Sequence, residues 1–224
     1  MRPENACAAR VHDFLLSMNT MFNDVTMLTS MNTMSIEKRK YDLKARAAAQ
    51  KQTRERIVAA TLELHREVGP ALTTVAEVAR RSGVQRLTVY NHFPDDAELF
   101  GACQAHWMEL HPLPDFDAVL AGDEPVERMR ATLLGYYRWY RETEPMAEKI
   151  QRDRGAIPAL EALMQRTADA RADQLADALA AGGADRRAII RLALDFWTWR
   201  RLSREGLDDE TAAELMTTAV ASLS

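Results

Sequence analysis

The run from Gly83 to Pro94 concentrates the side chains of this 224-residue chain that are best suited to contact a nucleic acid. It reads Gly-Val-Gln-Arg-Leu-Thr-Val-Tyr-Asn-His-Phe-Pro. The planar guanidinium of Arg86 can bond to O6 and N7 of guanine, and Leu87 can contact the methyl group of thymine. Donors for phosphate oxygens follow at Thr88, Tyr90 and His92. Such contacts require a helix that carries these residues into the major groove.

Two short helices joined by a turn are predicted around this run. Thr74 and Glu77 have the spacing of a capping box, which predicts a helix that begins at Val75. Gly83 marks the turn, and a second helix is predicted over about residues 85–92. Its apolar side is expected to pack inward through Val84, Val89 and Phe93. This is the layout of a helix-turn-helix, although short helix pairs also occur as purely structural elements.

The charge of the chain is distributed unevenly. Residues 35–93 carry twelve Lys and Arg against six Asp and Glu, whereas the whole chain has a formal net charge of −4. A basic block on an acidic body suits a protein that binds phosphate with one end. By charge alone, an ordinary solvated helix face is an equal alternative. An arm that reaches the minor groove, or else a plain basic tail, is predicted from Lys38, Arg39, Lys40, Lys44 and Arg46.

The rest of the sequence predicts an all-α fold. Nine Gly and eight Pro are few for this length, and we find no alternating apolar pattern typical of a strand. A long helix is expected over residues 41–68 and a fourth helix through Trp107, capped by Asp95 or Asp96. Further helices are expected from Pro125 until Pro145 ends or kinks the helix, from Pro158 to the glycines at 182–183, from Asp185 to Gly206, and from about Asp208.

Other chemistries find little support. Two cysteines, Cys7 and Cys103, exclude a disulfide scaffold and a four-thiolate zinc site. Cys103 and His106 share a helix face, but His111 lies beside a proline and no carboxylate completes a metal site. No phosphate loop, nucleophile elbow or His-Glu-x-x-His motif occurs, so neither an enzyme nor a bound cofactor or metal is expected.

The run from Gly83 to Pro94 resembles the TetR family of bacterial transcriptional regulators, in which a glycine turn and a helix ending Thr-hydrophobic-Tyr-x-His-Phe are characteristic. The upstream Thr73-Thr74-Val75-x-x-Val78-Ala79 resembles the second helix of that family. The likeness covers about residues 51–107, and the remainder matches in length and helical layout. It implies an N-terminal three-helix helix-turn-helix DNA-binding domain and a larger C-terminal helical ligand-binding and dimerisation domain.

Three positions depart from the family pattern. Asp96 stands where a lysine near a phosphate is common, Ala76 replaces a common basic residue, and Leu87 stands where Gly, Ala or Pro is common. These differences predict weaker phosphate affinity from the motif itself. An alternative is therefore a TetR-like module that binds a ligand or a protein partner and has weakened or lost DNA binding.

The resemblance implies a homodimer on a palindromic double-stranded DNA operator, with a small-molecule inducer that releases a repressor from DNA. No membrane partner is expected. The expected DNA-binding residues are Lys51, Arg54, Thr73, Thr74, Gln85, Arg86, Leu87, Thr88, Tyr90, Asn91 and His92. The aromatic residues of the C-terminal half predict either plain core or a ligand pocket lined by Trp107, Tyr136, Tyr140, Met164 and Phe196. The expected dimer seam is Ile189, Leu192, Phe196, Leu215 and Ala219.

The expected domain boundaries follow from these readings. Residues 1–34 hold six of the eleven Met and a repeated Ser-Met-Asn-Thr-Met, which indicates a disordered tail or a start site assigned too early; a Met-rich copper site is the alternative. Residues 35–50 are the basic arm or helix extension, 51–95 the DNA-binding domain and 96–224 the ligand-binding and dimerisation domain. No apolar run is long enough to span a membrane, so a cytoplasmic protein is expected. The family resemblance implies that it is bacterial and nucleoid-associated.

Overall fold

The computed structural model describes residues 40, 41, 43–180 and 183–222, and these residues contain helices and turns but no strand. The chain divides into two units, Met1–Thr53 and Arg54–Ser224. Residues 1–34, Lys38, Arg39 and the glycine at 182 lie outside the described residues, so the expectations placed on them are not addressed by the structure. The helical residues of the first unit are 40, 41 and 43–53.

Among the described residues, four helices form the N-terminal part of the second unit. They are residues 54–67 of α1, which is helical over residues 43–67, together with α2 (Val75–Ser82), α3 (Arg86–His92) and α4 (Asp96–Leu110), and a 3₁₀ turn lies at Pro70–Leu72. The predicted starts of α2 and α4 are confirmed, because the side chains of Thr74 and Asp95 accept the amides of Glu77 and Glu98. These helices bury an apolar cluster of Ile57, Val58, Leu64, Val78, Ala79, Val89, Phe93 and Cys103.

Seven further helices form the C-terminal part. They are α5 (Phe116–Leu120), α6 (Pro125–Asp153), α7 (Pro158–Met164), α8 (Ala170–Ala180), α9 (Ala184–Ala193), α10 (Phe196–Arg204) and α11 (Asp209–Ala221). A single π-helical turn, Gln165–Asp169, joins α7 to α8. The described helices include none that combines the length and apolar character needed to cross a membrane.

The long helix α6 supplies the centre of the C-terminal core. Leu133 and Tyr137 are fully buried on it, and α10 contributes Trp199. The hydroxyls of Tyr137 and Tyr140 donate to the carbonyl oxygens of Ala193 and Leu194 at 2.8 and 2.9 Å. These two bonds satisfy carbonyl groups at the end of α9 that would otherwise be buried without a hydrogen-bond partner.

Some predicted helix ends differ from the structure. Of the two alternatives for Pro145, an end of the helix is wrong, because α6 continues to Asp153 with Pro145 inside it, and a kink stays a prediction. The helix expected from Asp185 to Gly206 is two helices, because Asp195 accepts the amides of Trp197 and Thr198 and so caps a new helix, α10. The short helix α5 and the π-helical turn were not predicted.

Candidate functional site

The helices α2 and α3 form a helix-turn-helix whose turn depends on Gly83. This residue has φ +69° and ψ 35°, in the left-handed region that glycine adopts without a steric penalty. Val89 and Phe93 are buried on the inner side of α3, and Val84 packs partly buried against the same cluster, as predicted. The opposite side of α3 is therefore turned outward.

The residues expected to read bases lie on that outer side. Gln85, Arg86 and Asn91 are exposed, and Leu87 and Tyr90 keep 67% and 53% of their surface in solvent. Exposed apolar side chains of this size on a seven-residue helix are available for contact with base methyl groups and sugars. Thr88 and His92 are half-buried. The structure thus gathers seven of the eleven predicted DNA-contacting residues on or next to α3.

The two predicted threonines have roles within the fold. The hydroxyl of Thr73 donates to the carbonyl oxygen of Gly69 at 2.9 Å. The hydroxyl of Thr74 accepts the Glu77 amide at 3.2 Å and caps α2. Glu77 does not complete the capping box, because its carboxylate pairs with Arg80 at 2.6 and 2.9 Å. Both threonines fix the position of α2 relative to the turn before it.

Arg54 is tied to the inner side of α3. Its guanidinium donates to the carbonyl oxygen of His92 at 2.7 Å and lies 4.0 Å from the centroid of the Phe93 ring. The bond satisfies a carbonyl at the end of α3, where no amide follows in the helix. Arg54 therefore links α1 to the end of α3. The prediction of a DNA contact for Arg54 did not include this role.

The arginines of the helix-turn-helix differ in how they are engaged. Arg80 pairs with Glu77, and Arg81 pairs with Glu67 at 2.8 Å. Arg86 is exposed at the first position of α3, and no hydrogen bond or ion pair to another described residue engages its side chain. The guanidinium of Arg86 is thus available for a partner outside the chain.

Acidic residues follow directly after α3. Asp95, Asp96 and Glu98 are exposed in the first turn of α4, where carboxylates interact favourably with the helix dipole. Asp96 takes no capping bond, since Asp95 caps the helix. A phosphate that approached this turn would meet negative charge. In the first unit, Lys51 is exposed, as are the described residues of the predicted basic arm, Lys40, Lys44 and Arg46.

A cavity of about 480 Å³ lies between α1, α4 and the helices of the C-terminal part. All five residues predicted to line a ligand pocket contribute to its wall: Trp107, Tyr136, Tyr140, Met164 and Phe196. Most of the other lining side chains are also apolar or aromatic, among them Phe100, Met108 and Trp139. Its size and composition are those of small-molecule sites.

The buried polar side chains of the cavity wall include His65 and Tyr136. His65 on α1 is 3% exposed and stacks on Phe100, with ring centroids 5.5 Å apart. Burial lowers the pKa of His65 from 6.5 to about 4, against a smaller opposing effect of Asp153, so its imidazole is neutral at pH 7. Tyr136 is 5% exposed, and burial raises its pKa to about 12. Its ring stacks on Phe116 at 4.7 Å.

The end of α6 makes hydrogen bonds to the loop between α1 and α2. The buried carboxylate of Asp153 accepts the Ala71 amide at 3.0 Å, and the Arg152 guanidinium donates to the Val68 carbonyl oxygen at 3.1 Å. The hydrogen bond from Arg152 lowers the pKa of Asp153. Gly69 lies under this pair with φ +97°, and a β-carbon there would be 2.4 Å from the Arg152 guanidinium. We call this contact the α6 clamp.

A second link crosses beside the cavity. The side-chain amide of Gln104 on α4 donates to the hydroxyl of Thr167 in the π-helical turn at 2.7 Å, and both residues line the cavity. Arg154 bonds Glu161 on α7 and Asp169 at the end of that turn, which links the turn to the helix before it. The cavity wall thus includes Gln104 and Thr167, whose hydrogen bond joins α4 to the C-terminal helices.

The histidine and cysteine residues considered for a metal site each contact different neighbours. Cys103 is buried in the N-terminal core, where burial raises the pKa of its thiol to about 12. His106 contacts Glu109, and His111 contacts Glu142. Within residues 40–180 and 183–222, apart from residue 42, no group of three or more His, Cys, Asp or Glu is arranged to hold a metal ion.

The residues predicted for a dimer seam differ in how far they are exposed. Leu192 on α9 and Leu215 on α11 are 53% and 49% exposed, and Ala219 is also exposed. Ile189 packs partly buried against the core. Phe196 cannot belong to a seam, because it is 1% exposed and packs against Tyr140 and Trp199 within the chain.

Sequence reasoning missed several residues of the cavity and the clamp. His65 falls four residues after Thr61 on the buried face of α1, so its position in the apolar period was a usable signal. Gln104, Arg152 and Asp153 gave no such signal, because their partners are distant in the sequence.

Comparisons with known proteins agree with this arrangement. Residues 57–103 match the model of the bacterial regulatory proteins of the tetR family. Over 72 residues the chain is 40% identical to an uncharacterized HTH-type transcriptional regulator, TtgW, of Pseudomonas putida. This match covers 31% of the chain and 54% of that relative, so the chain spans about half the length of the curated relative.

Solved structures share the fold over most of the chain. A transcriptional regulator from Rhodococcus has a TM-score of 0.57 at 20% identity, with 75% of this chain and 96% of that chain covered. NalD of Pseudomonas aeruginosa, the secondary repressor of the MexAB-OprM multidrug efflux pump, has a TM-score of 0.54 at 22% identity, with 78% and 96% covered. At these identities the likeness shows the fold alone.

Proposed function

The chain belongs through its N-terminal domain to the TetR family of bacterial regulatory proteins, and on this premise we propose that it is a sequence-specific repressor that a small-molecule inducer releases from DNA. The observation that carries the proposal is the exposed outer side of α3. There Arg86, whose side chain pairs with none of the other described residues, lies beside Leu87, Tyr90 and Asn91. Donors, an apolar side chain and an amide on one short helix suit the edges of base pairs.

The proposed regulator acts as a homodimer on a palindromic operator. Leu192 and Leu215 support this, because large apolar side chains left half in solvent on two neighbouring helices favour a partner surface. Trp197 on α10 is a further large apolar side chain with 43% of its surface exposed. Replacement of Leu192 and Leu215 by Glu is expected to give monomers in sedimentation velocity, whereas V126E, at an exposed position of α6, is expected to remain dimeric.

The test of DNA recognition is selection from random duplex DNA with the purified chain, followed by sequencing. We expect an enriched palindrome. Binding to that palindrome is then compared for Arg86→Ala and for the control Arg130→Ala, a partly exposed arginine of α6 that pairs with Glu127. Loss of a bidentate guanine contact costs about 1–3 kcal/mol and relaxes the preference at one base pair, so R86A is expected to weaken binding by at least fivefold. Equal affinity for all sequences in both variants contradicts the proposal.

A second candidate function is a module that binds a ligand or a protein partner without DNA. The exposed carboxylates of Asp95, Asp96 and Glu98 after α3 favour it, because they oppose a phosphate backbone. The dependence of DNA affinity on salt separates the candidates, since each phosphate contact steepens the slope. No enriched sequence and a flat slope, from a folded dimer at low salt, support this second candidate.

A further inference from the structure

The charges around the cavity are already neutralised by the chain itself. Arg154 is held by Glu161 and Asp169, both within 2.7 Å. Arg171 pairs with Asp117 at 2.9 Å, and Arg191 pairs with Asp173 at 2.9 Å. The carboxylate of Asp195 accepts two backbone amides at the start of α10. A charged ligand would therefore lose its hydration without gaining a free counter-charge.

Two uncharged polar groups of the wall have no such partner. The Tyr136 hydroxyl and the His65 imidazole make no hydrogen bond to any other described residue, although both side chains are at least 95% buried. The two neighbouring tyrosines differ, since Tyr137 and Tyr140 both donate to backbone carbonyls. Neither group is among the fully enclosed side-chain atoms that lack a partner, so each keeps contact with the cavity, where a ligand can bond to it.

The position of the Tyr136 ring is fixed from behind. It stacks on Phe116 with an interplanar angle of 11° and lies 5.6 Å from the ring of Tyr140. The hydroxyl therefore has a set direction before a ligand arrives, which reduces the ordering that binding requires. Aromatic walls from Trp107, Trp139 and Phe196 can stack against a planar molecule.

On the basis of the proposed function, in which this cavity is the effector site, we propose that its ligand is an uncharged aromatic compound bearing a hydroxyl or carbonyl group bonded to the Tyr136 hydroxyl. The ring system of the ligand packs among the aromatic walls, and His65 supplies a second polar anchor on α1. A neutral imidazole can donate through one nitrogen and accept through the other, so it suits the same class of ligand.

The test compares four probes of one shape with the full-length chain: biphenyl, 4-phenylphenol, biphenyl-4-carboxylate and biphenyl-4-methylammonium. Binding is measured at pH 7 by equilibrium dialysis. We expect 4-phenylphenol to bind at least about tenfold more tightly than either charged probe. Equal or tighter binding of a charged probe overturns the proposal, and so does the absence of binding of all four.

Two variants assign the hydrogen bond. Tyr136→Phe keeps the stacked ring and removes the hydroxyl. It is expected to lower the affinity for 4-phenylphenol about five- to tenfold and to leave the affinity for biphenyl unchanged. The matched control is Tyr137→Phe, whose hydroxyl bonds to Ala193 away from the cavity wall. If both variants bind 4-phenylphenol equally well, or if Y136F weakens biphenyl to the same extent, the assigned bond is wrong.

Failure of this inference is distinguishable from failure of the proposed function. The dialysis measurement involves no DNA, and DNA binding is measured separately by gel shift on the selected palindrome. A chain that binds 4-phenylphenol but no DNA overturns the repressor and retains the ligand class. A chain that binds DNA and prefers a charged probe overturns the ligand class and retains the DNA-binding part of the proposed function.

Discussion

The neutral, buried His65 predicts a loss of stability under mildly acidic conditions. Its pKa is about 4 in the folded chain and 6.5 in the unfolded chain, so the unfolded chain binds the additional proton between these values. The stability it contributes is fully present above pH 6.5 and is lost as the pH falls toward 4. Among the charged groups, Asp153 is the one that opposes this shift, by favouring the imidazolium.

The magnitude follows from the two pKa values. Linkage between protonation and unfolding gives a loss of about 2 kcal/mol between pH 7 and pH 5, and about 3 kcal/mol by pH 4. This is a large fraction of the 5–15 kcal/mol that is typical of folded domains. Carboxylates that are paired in the native state, such as Asp153, lose their own contribution at lower pH, so the range from pH 7 to pH 5 isolates the histidine.

The assay is urea unfolding, followed by circular dichroism at pH 7, 6 and 5. The original chain is compared with His65→Gln and with His106→Gln, whose side chain is 42% exposed and serves as the control. We expect the free energy of unfolding to fall by about 2 kcal/mol more in the original chain and in H106Q than in H65Q. His65→Leu repeats the test with an apolar replacement.

An equal pH dependence in the original chain and in both His65 variants refutes the reasoning. It means that the imidazole is protonated in the folded state at pH 5, and therefore that water reaches it. A smaller dependence in H106Q than in H65Q refutes it as well, because it assigns the effect to an exposed histidine.

Three further predictions concern how the fold is held. Gly69→Ala is expected to destabilise the chain by about 1–3 kcal/mol in urea unfolding, because its backbone conformation suits glycine and a β-carbon meets the α6 clamp; Gly155→Ala, with open space around it, is the control. Asp195→Ala is expected to lower the free energy of unfolding by about 1 kcal/mol in the same urea assay, because α10 loses its cap. Asp195→Asn is expected to retain most of that free energy. Arg54→Ala is expected to weaken DNA binding without changing the slope of affinity against salt, as a positioning residue does; a slope smaller by about 1 would instead identify a phosphate contact.

Local signals in the sequence were sufficient for the helix-turn-helix. The capping spacing of Thr74 and Glu77 and the turn at Gly83 depend on neighbouring residues, and both are present in the structure. The convergence of Tyr136 and Tyr140 on one cavity also follows from a local rule, because residues four apart share a face of a helix.

Features that depend on distant contacts were not predictable in the same way. The break before α10 lies inside an apolar run from Ile189 to Trp199, whose pattern is typical of one helix, and the break depends on the capping bonds of Asp195. The burial of Phe196 reflects its packing against Tyr140, 56 positions earlier in the chain. The α6 clamp joins residues that are more than 80 positions apart.

The π-helical turn at Gln165–Asp169 affects how this chain is aligned with its relatives. A π turn holds one more residue than an α turn, so the helix that follows it is rotated by about 100° from its regular course. A regular α-helix through the same residues would turn the buried Leu175 and Leu179 away from the core, whereas deletion of one residue from the turn would restore an unbroken helix with both leucines still buried. A relative with an unbroken helix here should therefore carry a one-residue gap opposite Thr167, which makes this gap a marker of relatives with a differently shaped cavity.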